Sequence, residues 1–220
     1  PAAQFAPQFW PTFQFLTQEL GLAVIAPNVR GSSGYGRPYA GLDNTYRRLD
    51  PLKDVGALLD WIAARPDLDA GRVAVMGESY GGFLALAALA AYPERLVAGV
   101  DIAGMSNLVS FLESHSGFAK QVLEVEFGSP EREAERRFLE DISPLTHVAR
   151  IVQPLLVVQG ANDPRVPAAE SQQLVDALRA QGGTVWYALA QDEGHVLRRP
   201  ANAAYVQGAL VLFLKAYLLG

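Results

Sequence analysis

The chain has 220 residues, of which half are hydrophobic, and 23 acidic against 18 basic side chains give a formal net charge of −5. This composition suits a globular core, and the acidic balance argues against a nucleic-acid partner, which a basic face would attract. The absence of cysteine excludes disulfides, thiolate metal sites and a cysteine nucleophile. The three histidines lie far apart in the sequence, so we predict no bound metal and no cofactor.

Short apolar runs alternate with stretches of helical periodicity along the chain. In order, we predict helix 9–20, strand 22–26, a glycine-rich loop at 28–36, helix 51–65, strand 72–76, helix 83–92, strand 96–103, a helical insertion at about 104–150 with a solvated helix at 124–140, strand 154–158, helix 171–181, strand 184–189 and helix 201–219. This order predicts an α/β fold with a mainly parallel sheet flanked by helices. We find no internal repeat, linker or membrane-spanning segment, so we expect one domain over residues 1–220.

The hexapeptide from Gly77 to Gly82, Gly-Glu-Ser-Tyr-Gly-Gly, lies between a predicted strand and a predicted helix. In this context a G-x-S-x-G motif places its serine on a sharp turn at the carboxyl edge of a parallel sheet. The glycines remove Cβ atoms where the strand and the helix would collide. We therefore predict that Ser79 is a nucleophile and that the backbone N–H of Tyr80, at a helix N-terminus, stabilises an oxyanion.

A nucleophilic serine needs a general base within hydrogen-bonding reach. Of the three histidines, only His195 falls in a loop directly after a predicted strand. His147 precedes a strand, which puts it at the wrong edge of the sheet, and His115 lies in the insertion. We predict that His195 is the base.

The carboxylate that orients this base should lie buried behind the histidine. Asp163 follows a predicted strand between those of Ser79 and His195, although an Asx-turn would also explain an aspartate there. Asp101 and Asp192 are rivals that fit the layout less well. With Asp163 as the acid, the chain order is nucleophile, acid, base, which is the order in α/β-hydrolases.

Five segments together resemble the catalytic domain of the prolyl oligopeptidase family of serine peptidases, particularly its acylaminoacyl-peptidase and dipeptidyl-aminopeptidase-like branch. They are Pro27–Gly36, Gly77–Gly82, Ser143–Leu145, Gly160–Pro167 and Glu193–His195, and they span nearly the whole chain in the family's order. The resemblance implies an α/β-hydrolase fold in which Ser79, Asp163 and His195 form the catalytic triad. It also implies that Tyr80 supplies an oxyanion N–H.

The activity implied by the resemblance is hydrolysis of short peptides or acyl-peptides through an acyl-enzyme. We expect no nucleic-acid or membrane partner and a cytoplasmic rather than a secreted protein, and the sequence is compatible with a homo-oligomer. Two alternatives stay open. Glu78, before the serine, also occurs in esterase-type elbows, so a carboxylesterase of the same fold is one alternative. A catalytically inactive α/β-hydrolase used for binding is the other, although all three triad residues are present.

The resemblance also implies strands and a His-Gly-Gly-Pro-like turn immediately before Pro1, with Pro1 as the last residue of that turn. The turn would offer a second oxyanion donor. The strand before Pro1 would lie inside the sheet, between the strands at 22–26 and 72–76. Without it, buried backbone donors and acceptors would lack partners, which is costly. We therefore expect this sequence to be a fragment of a longer polypeptide, or the missing strands to come from other residues.

Overall fold

A computed structural model describes residues 3–220, so Pro1, predicted to end the oxyanion turn, lies outside the described residues. Four strands form one sheet in the order β1-β2-β3-β4: β1 is Ala74–Glu78, β2 is Ala98–Ile102, β3 is Leu155–Gly160 and β4 is Val185–Ala190. All three neighbouring pairs are parallel. The strands predicted at 72–76, 96–103, 154–158 and 184–189 are therefore confirmed, with small shifts at their ends.

Helices connect the strands and cover the sheet. In chain order they are α1 Pro11–Leu20, α2 Arg37–Ala40, α3 Pro51–Ala63, α4 Tyr80–Ala91, α5 Leu108–Glu113, α6 Gly117–Phe127, α7 Glu133–Ile142, α8 Ala168–Ala180 and α9 Pro200–Leu214, which continues as a π-helical turn over Lys215–Leu219; short 3-10 helices cover Thr45–Arg47 and Pro144–Arg150.

The two faces of the sheet are buried under different helices. Leu155 and Val157 of β3 pack with buried side chains of α3, α4 and α8, whereas Leu156 and Val158 pack with those of α1 and α9. Successive side chains of a strand point to opposite faces, so an unbroken apolar strand needs cover on both sides. The predicted parallel sheet flanked by helices is confirmed.

The strand predicted at 22–26 is wrong. These residues are irregular, and the side chains of Val24 and Ile25 are 37% and 40% exposed. An apolar run becomes a strand only when a neighbouring strand pairs with its backbone N–H and C=O groups. The sequence predicted such a neighbour between this run and β1. Within residues 3–220 no strand fills that position, and β1 is the edge of the sheet, where Met76 is 39% exposed.

The predicted insertion at about 104–150 contains α5, α6 and α7. The single helix predicted at 124–140 is wrong, because Gly128, with a φ of 98°, follows the end of α6, and α7 begins only at Glu133. The charged face of this stretch is solvated as predicted, with exposed ion pairs such as that between Arg137 and Glu133. The apolar sides of the three helices form a second core with Phe83 of α4, so the insertion packs beside the start of that helix.

The C-terminal helix Pro200–Leu219 is long and apolar enough to cross a membrane by length and composition alone. Its buried side chains Leu210, Phe213, Leu214 and Leu218 pack against the sheet face that α1 also covers. Core helices of globular proteins can have the same composition, but only 22% of the most apolar stretch of this helix is buried, and Leu212 is 61% exposed.

Candidate active site

Ser79 occupies a strained turn between β1 and α4. The helix begins at Tyr80, and Ser79 has a φ of 58° and a ψ of −118°, a region that residues other than glycine rarely adopt. The turn is so tight that a Cβ at Gly77 would lie 1.9 Å from the carbonyl oxygen of Gly81. The Ser79 N–H donates to the carbonyl of Ile102 at 2.8 Å, which ties the turn to β2. The strand–turn–helix context predicted for the hexapeptide is present.

Asp163 and His195 meet beyond the carboxyl ends of β3 and β4. Nδ1 of His195 lies 2.7 Å from Oδ2 of Asp163, and the Asp163 side chain is fully buried. The other carboxyl oxygen accepts the backbone N–H groups of Arg165, at 2.8 Å, and Val166, at 3.0 Å. A carboxylate held in this way fixes the orientation and tautomer of the imidazole and leaves Nε2 free to exchange a proton.

The surroundings of Asp163 keep its side chain ionised at neutral pH. Burial opposes the charged form, but hydrogen bonds from His195 and from the N–H groups of Val166 and Arg165 outweigh it. The pKa of Asp163 therefore lies below its ordinary value. This negative charge is available to stabilise an imidazolium at His195.

The loop that carries His195 folds back over the end of β3. The Asn162 N–H donates to the carbonyl of Glu193 at 2.9 Å. A Cβ at Gly160 would lie 2.0 Å from the carbonyl oxygen of Gly194, so this close approach requires glycine at 160. The loop follows β4 and folds back, so it places His195 near the end of β3, where Asp163 lies.

Glu193, which the sequence did not single out, braces the same loop. Its buried carboxylate accepts the backbone N–H of Arg198 at 3.0 Å and that of Arg199 at 2.8 Å. It also accepts the side-chain amide of Asn202 at 2.9 Å. These bonds tie the loop to the first turn of α9. The available signal was its place two residues before His195 in the Glu-Gly-His segment.

The rival acids lie elsewhere. Asp101, on β2, is fully buried beneath the start of α4, and neither of its carboxyl oxygens has a hydrogen-bond partner among residues 3–220. Asp192 is half-exposed and pairs with Arg199 at 2.9 Å. The structure therefore places Asp163, and neither rival, against His195.

The other two histidines bond to local backbone. His147 Nε2 lies 2.5 Å from the carbonyl of Asp141, and His115 Nδ1 lies 2.8 Å from that of Phe111, whose ring it also contacts edge-on. Each is accounted for by packing within the insertion or the 3-10 segment that follows it.

Ser79 lies at the same edge of the sheet as the Asp163–His195 pair. It follows β1, whereas Asp163 follows β3, and β2 runs between them. Within the described residues, no hydrogen bond joins Ser79 Oγ to His195. Catalytic hydrogen bonds are often long in the absence of substrate and tighten when it binds. The structure thus brings two of the three predicted residues into contact and the third to the same edge.

A cavity of about 690 Å³ opens beside His195. Its walls come from the loops after β3 and β4 and from the start of α9, and Ser79 does not line it. The lining residues are Pro164, Arg165, Asp192, Glu193, Gly194, His195, Val196, Arg198, Arg199 and Pro200. Over residues 3–220 we find no group of three or more His, Asp or Glu side chains arranged to hold a metal ion.

Comparison with known proteins identifies related peptidases. The chain matches the prolyl oligopeptidase family over residues 7–220. It is 36% identical over 216 residues to dipeptidyl peptidase family member 6 of Caenorhabditis elegans, which covers 96% of this chain and 29% of that protein. It is 38% identical over 186 residues to dipeptidyl aminopeptidase BIII of Pseudoxanthomonas mexicana, covering 83% of this chain and 27% of that protein.

A solved structure shows the same similarity in three dimensions. A puromycin-hydrolysing peptidase of Mycobacterium tuberculosis superposes with a TM-score of 0.81 at 30% sequence identity, over 87% of this chain and 29% of that chain. The chain thus spans less than a third of the length of each of these relatives.

Proposed function

Because the chain belongs to the prolyl oligopeptidase family, we propose that it carries the catalytic machinery of a serine peptidase. The chain has the α/β-hydrolase fold of that family, and we propose that residues 1–220 form one catalytic domain. Relatives are named as dipeptidyl peptidases and acylamino-acid-releasing enzymes, which supports short peptides or acyl-peptides as the substrate class.

The proposed reaction is acyl transfer to water. Ser79 Oγ attacks the substrate carbonyl carbon while His195 Nε2 takes its proton. The carbonyl oxygen becomes an oxyanion that accepts the Tyr80 N–H, which has no partner within α4 because it belongs to the first residue of that helix. The leaving amine departs with the proton from His195. Water then attacks the acyl-enzyme while His195 Nε2 takes its proton, and that proton passes to Ser79 Oγ as the acyl group leaves. Asp163 stabilises the imidazolium in both half-reactions.

The observation that carries this proposal is the contact between His195 Nδ1 and the buried carboxylate of Asp163. Buried carboxylates are costly unless they are paired. Here the pairing holds an imidazole at the edge of the sheet where a strained turn carries Ser79. An acid, a base and a nucleophile at one edge support acyl transfer rather than a binding role alone.

The test is covalent labelling of the complete gene product with a fluorophosphonate, followed by location of the modified residue. We expect one label on Ser79 and none in the Ser79→Ala variant. A protein that stays unlabelled, or is labelled elsewhere, would contradict the proposal and favour an inactive binding domain. Turnover of peptide p-nitroanilides is expected as well. Turnover of p-nitrophenyl esters without any amide turnover would favour the carboxylesterase.

A further inference from the structure

A charged pair lies buried directly behind Tyr80, outside the residues assigned to catalysis. Nη1 of Arg48 lies 2.7 Å from Oδ2 of Asp43, and both side chains are completely buried. Asp43 Oδ1 and Arg48 Nε have no hydrogen-bond partner among residues 3–220. A buried ion pair that is only partly satisfied is a poor source of stability, because desolvation of the two charges offsets their attraction. The ion pair lies beside Tyr80, the residue that follows the nucleophile, so we expect it to have a role other than stabilising the fold.

The carboxylate of this pair holds the side chain of Tyr80. The phenol of Tyr80 donates to Oδ2 of Asp43 at 3.0 Å, the same oxygen that Arg48 contacts. Burial raises the pKa of the Tyr80 phenol. The negative charge of Asp43 also raises this pKa, whereas the positive charge of Arg48 lowers it. The phenol thus stays protonated at neutral pH and remains a hydrogen-bond donor to Asp43.

The guanidinium of the pair holds the end of α6, which belongs to the insertion. Nη2 of Arg48 donates to the carbonyl of Glu126 at 2.5 Å. The guanidinium carbon lies 4.2 Å from the centre of the Phe127 ring and 5.2 Å from that of Tyr80. A cation at a helix C-terminus and against aromatic faces is favourable. One ion pair therefore connects the insertion to the first residue of α4.

We propose that Asp43 and Arg48 are positioning residues that fix Tyr80, so that its backbone N–H points at the oxyanion. This inference rests on the proposed function, in which that N–H is an oxyanion donor. The physical reason is that Tyr80 lies between the strained turn and the body of α4. When Asp43 holds the phenol, the side chain of Tyr80 cannot move, and the backbone that carries the N–H is fixed with it. Oxyanion donors act only when they are held in place before the reaction.

Three variants of the complete gene product test the proposal. Tyr80→Phe deletes only the phenol oxygen and keeps the packed ring, so it preserves the fold. Asp43→Asn removes the charge at nearly constant shape, and the double variant completes a cycle. Asp54→Asn is the matched control, because Asp54 accepts three hydrogen bonds from Arg30 in a partly buried pair away from Tyr80. Rates are measured per active site titrated with a fluorophosphonate, which removes any effect of a smaller folded fraction.

For Asp43→Asn we expect kcat per titrated site to fall about 10- to 100-fold, and KM to change less than about threefold. Affinity for a peptide aldehyde, whose hemiacetal places an oxyanion in the site, should fall by the same factor as kcat/KM. Tyr80→Phe should show a smaller loss of the same kind, and the double variant should be no worse than Asp43→Asn. Asp54→Asn should lower the melting temperature and leave kcat per site unchanged.

Unchanged kcat per site in Asp43→Asn and Tyr80→Phe would overturn the inference and leave the proposed function intact. So would losses that multiply in the double variant, because Tyr80 would then not act through Asp43. An unmodified protein that neither labels nor turns over peptides would instead refute the proposed function, and this inference with it. The two failures are thus distinguishable, since only the second affects the unmodified protein.

Discussion

Nδ1 of His195 lies 2.7 Å from Oδ2 of Asp163, although the two residues are 32 positions apart in the chain. They meet because β3 and β4 are parallel neighbours, so the loops that follow them emerge at the same edge of the sheet. The remaining distance is closed by the His195 loop, which folds over Gly160. The contact therefore depends on both the sheet and the loop, and each can be tested by substitution.

Asp163→Asn tests the role of the carboxylate. The amide cannot accept the Nδ1 proton in the same way and stabilises no imidazolium, so we expect kcat/KM to fall about 10³- to 10⁴-fold. Steady-state kinetics with a peptide p-nitroanilide measure the effect. Asp60→Asn is the control, because Asp60 is exposed and pairs only with Arg95 at the surface. A loss of less than tenfold in Asp163→Asn would show that another group orients His195.

Gly160→Ala tests the close approach of the His195 loop. The added methyl group would meet the carbonyl of Gly194 at 2.0 Å, so the loop must move away from β3. We expect a loss of about 1–3 kcal/mol in the free energy of unfolding and a loss of activity of about 100-fold from misplacement of the base. Denaturant unfolding and kinetics measure the two effects.

Gly208→Ala is the matched control for that substitution. Gly208 lies inside α9, and a Cβ there would have open space around it. Alanine is the better helix former, so we expect about 1 kcal/mol of added stability with unchanged activity. If both glycine variants behaved alike, the close approach at Gly160 would not matter.

Glu193→Ala tests the brace between the His195 loop and α9. The substitution leaves the N–H groups of Arg198 and Arg199 without their acceptor. We expect the loop to become more mobile and kcat/KM to fall about tenfold or more, because small displacements of a catalytic group slow the reaction strongly. Asp67→Ala provides the comparison, since Asp67 lies outside this loop and its exposed side chain pairs with Arg65 at the surface. Equal activity of the two variants would contradict the role given to Glu193.

Asp101→Asn tests a completely buried carboxyl. Burial raises the pKa of Asp101 to about 7 from an ordinary value of 3.8, although the nearby N–H of Gly104 acts to lower it. Between these values the folded protein binds more protons than the unfolded chain, so stability falls as the pH rises from about 4 to 7 and levels off above it. Asn carries no such proton. We expect the difference in the free energy of unfolding between the unmodified protein and Asp101→Asn to change by roughly 2–4 kcal/mol over this pH range.

Urea unfolding of both proteins at several pH values between 4 and 8 measures this dependence. The unmodified protein should lose stability relative to Asp101→Asn as the pH rises. Parallel curves would mean that Asp101 titrates near its ordinary pKa. A relative gain with rising pH would reverse the sign, and would mean that the carboxylate has a partner in solution.

Much of the fold was predictable because each element has a local cause. β2 and β3 are mostly apolar runs that are buried on both faces, which is typical of strands covered by helices on two sides. The 22–26 run has the same composition but forms no strand, because strand formation depends on a hydrogen-bonding neighbour that composition does not reveal. The division of 124–140 into two helices, by contrast, had a local signal that the prediction missed, because Gly128 adopts a φ of 98° and Pro130 follows two residues later.

The sequence by itself determined the order of the four strands and the place of Ser79, Asp163 and His195 after three of them, because periodicity and turn residues act over short distances. Only the tertiary structure decided which acid meets His195. Asp101 and Asp163 both follow or end apolar strands, but one is sealed beneath α4 and the other faces the folded-back loop. It also brought Asp43 and Arg48 to Tyr80, since a contact across 37 positions comes from packing and leaves no local pattern in the chain.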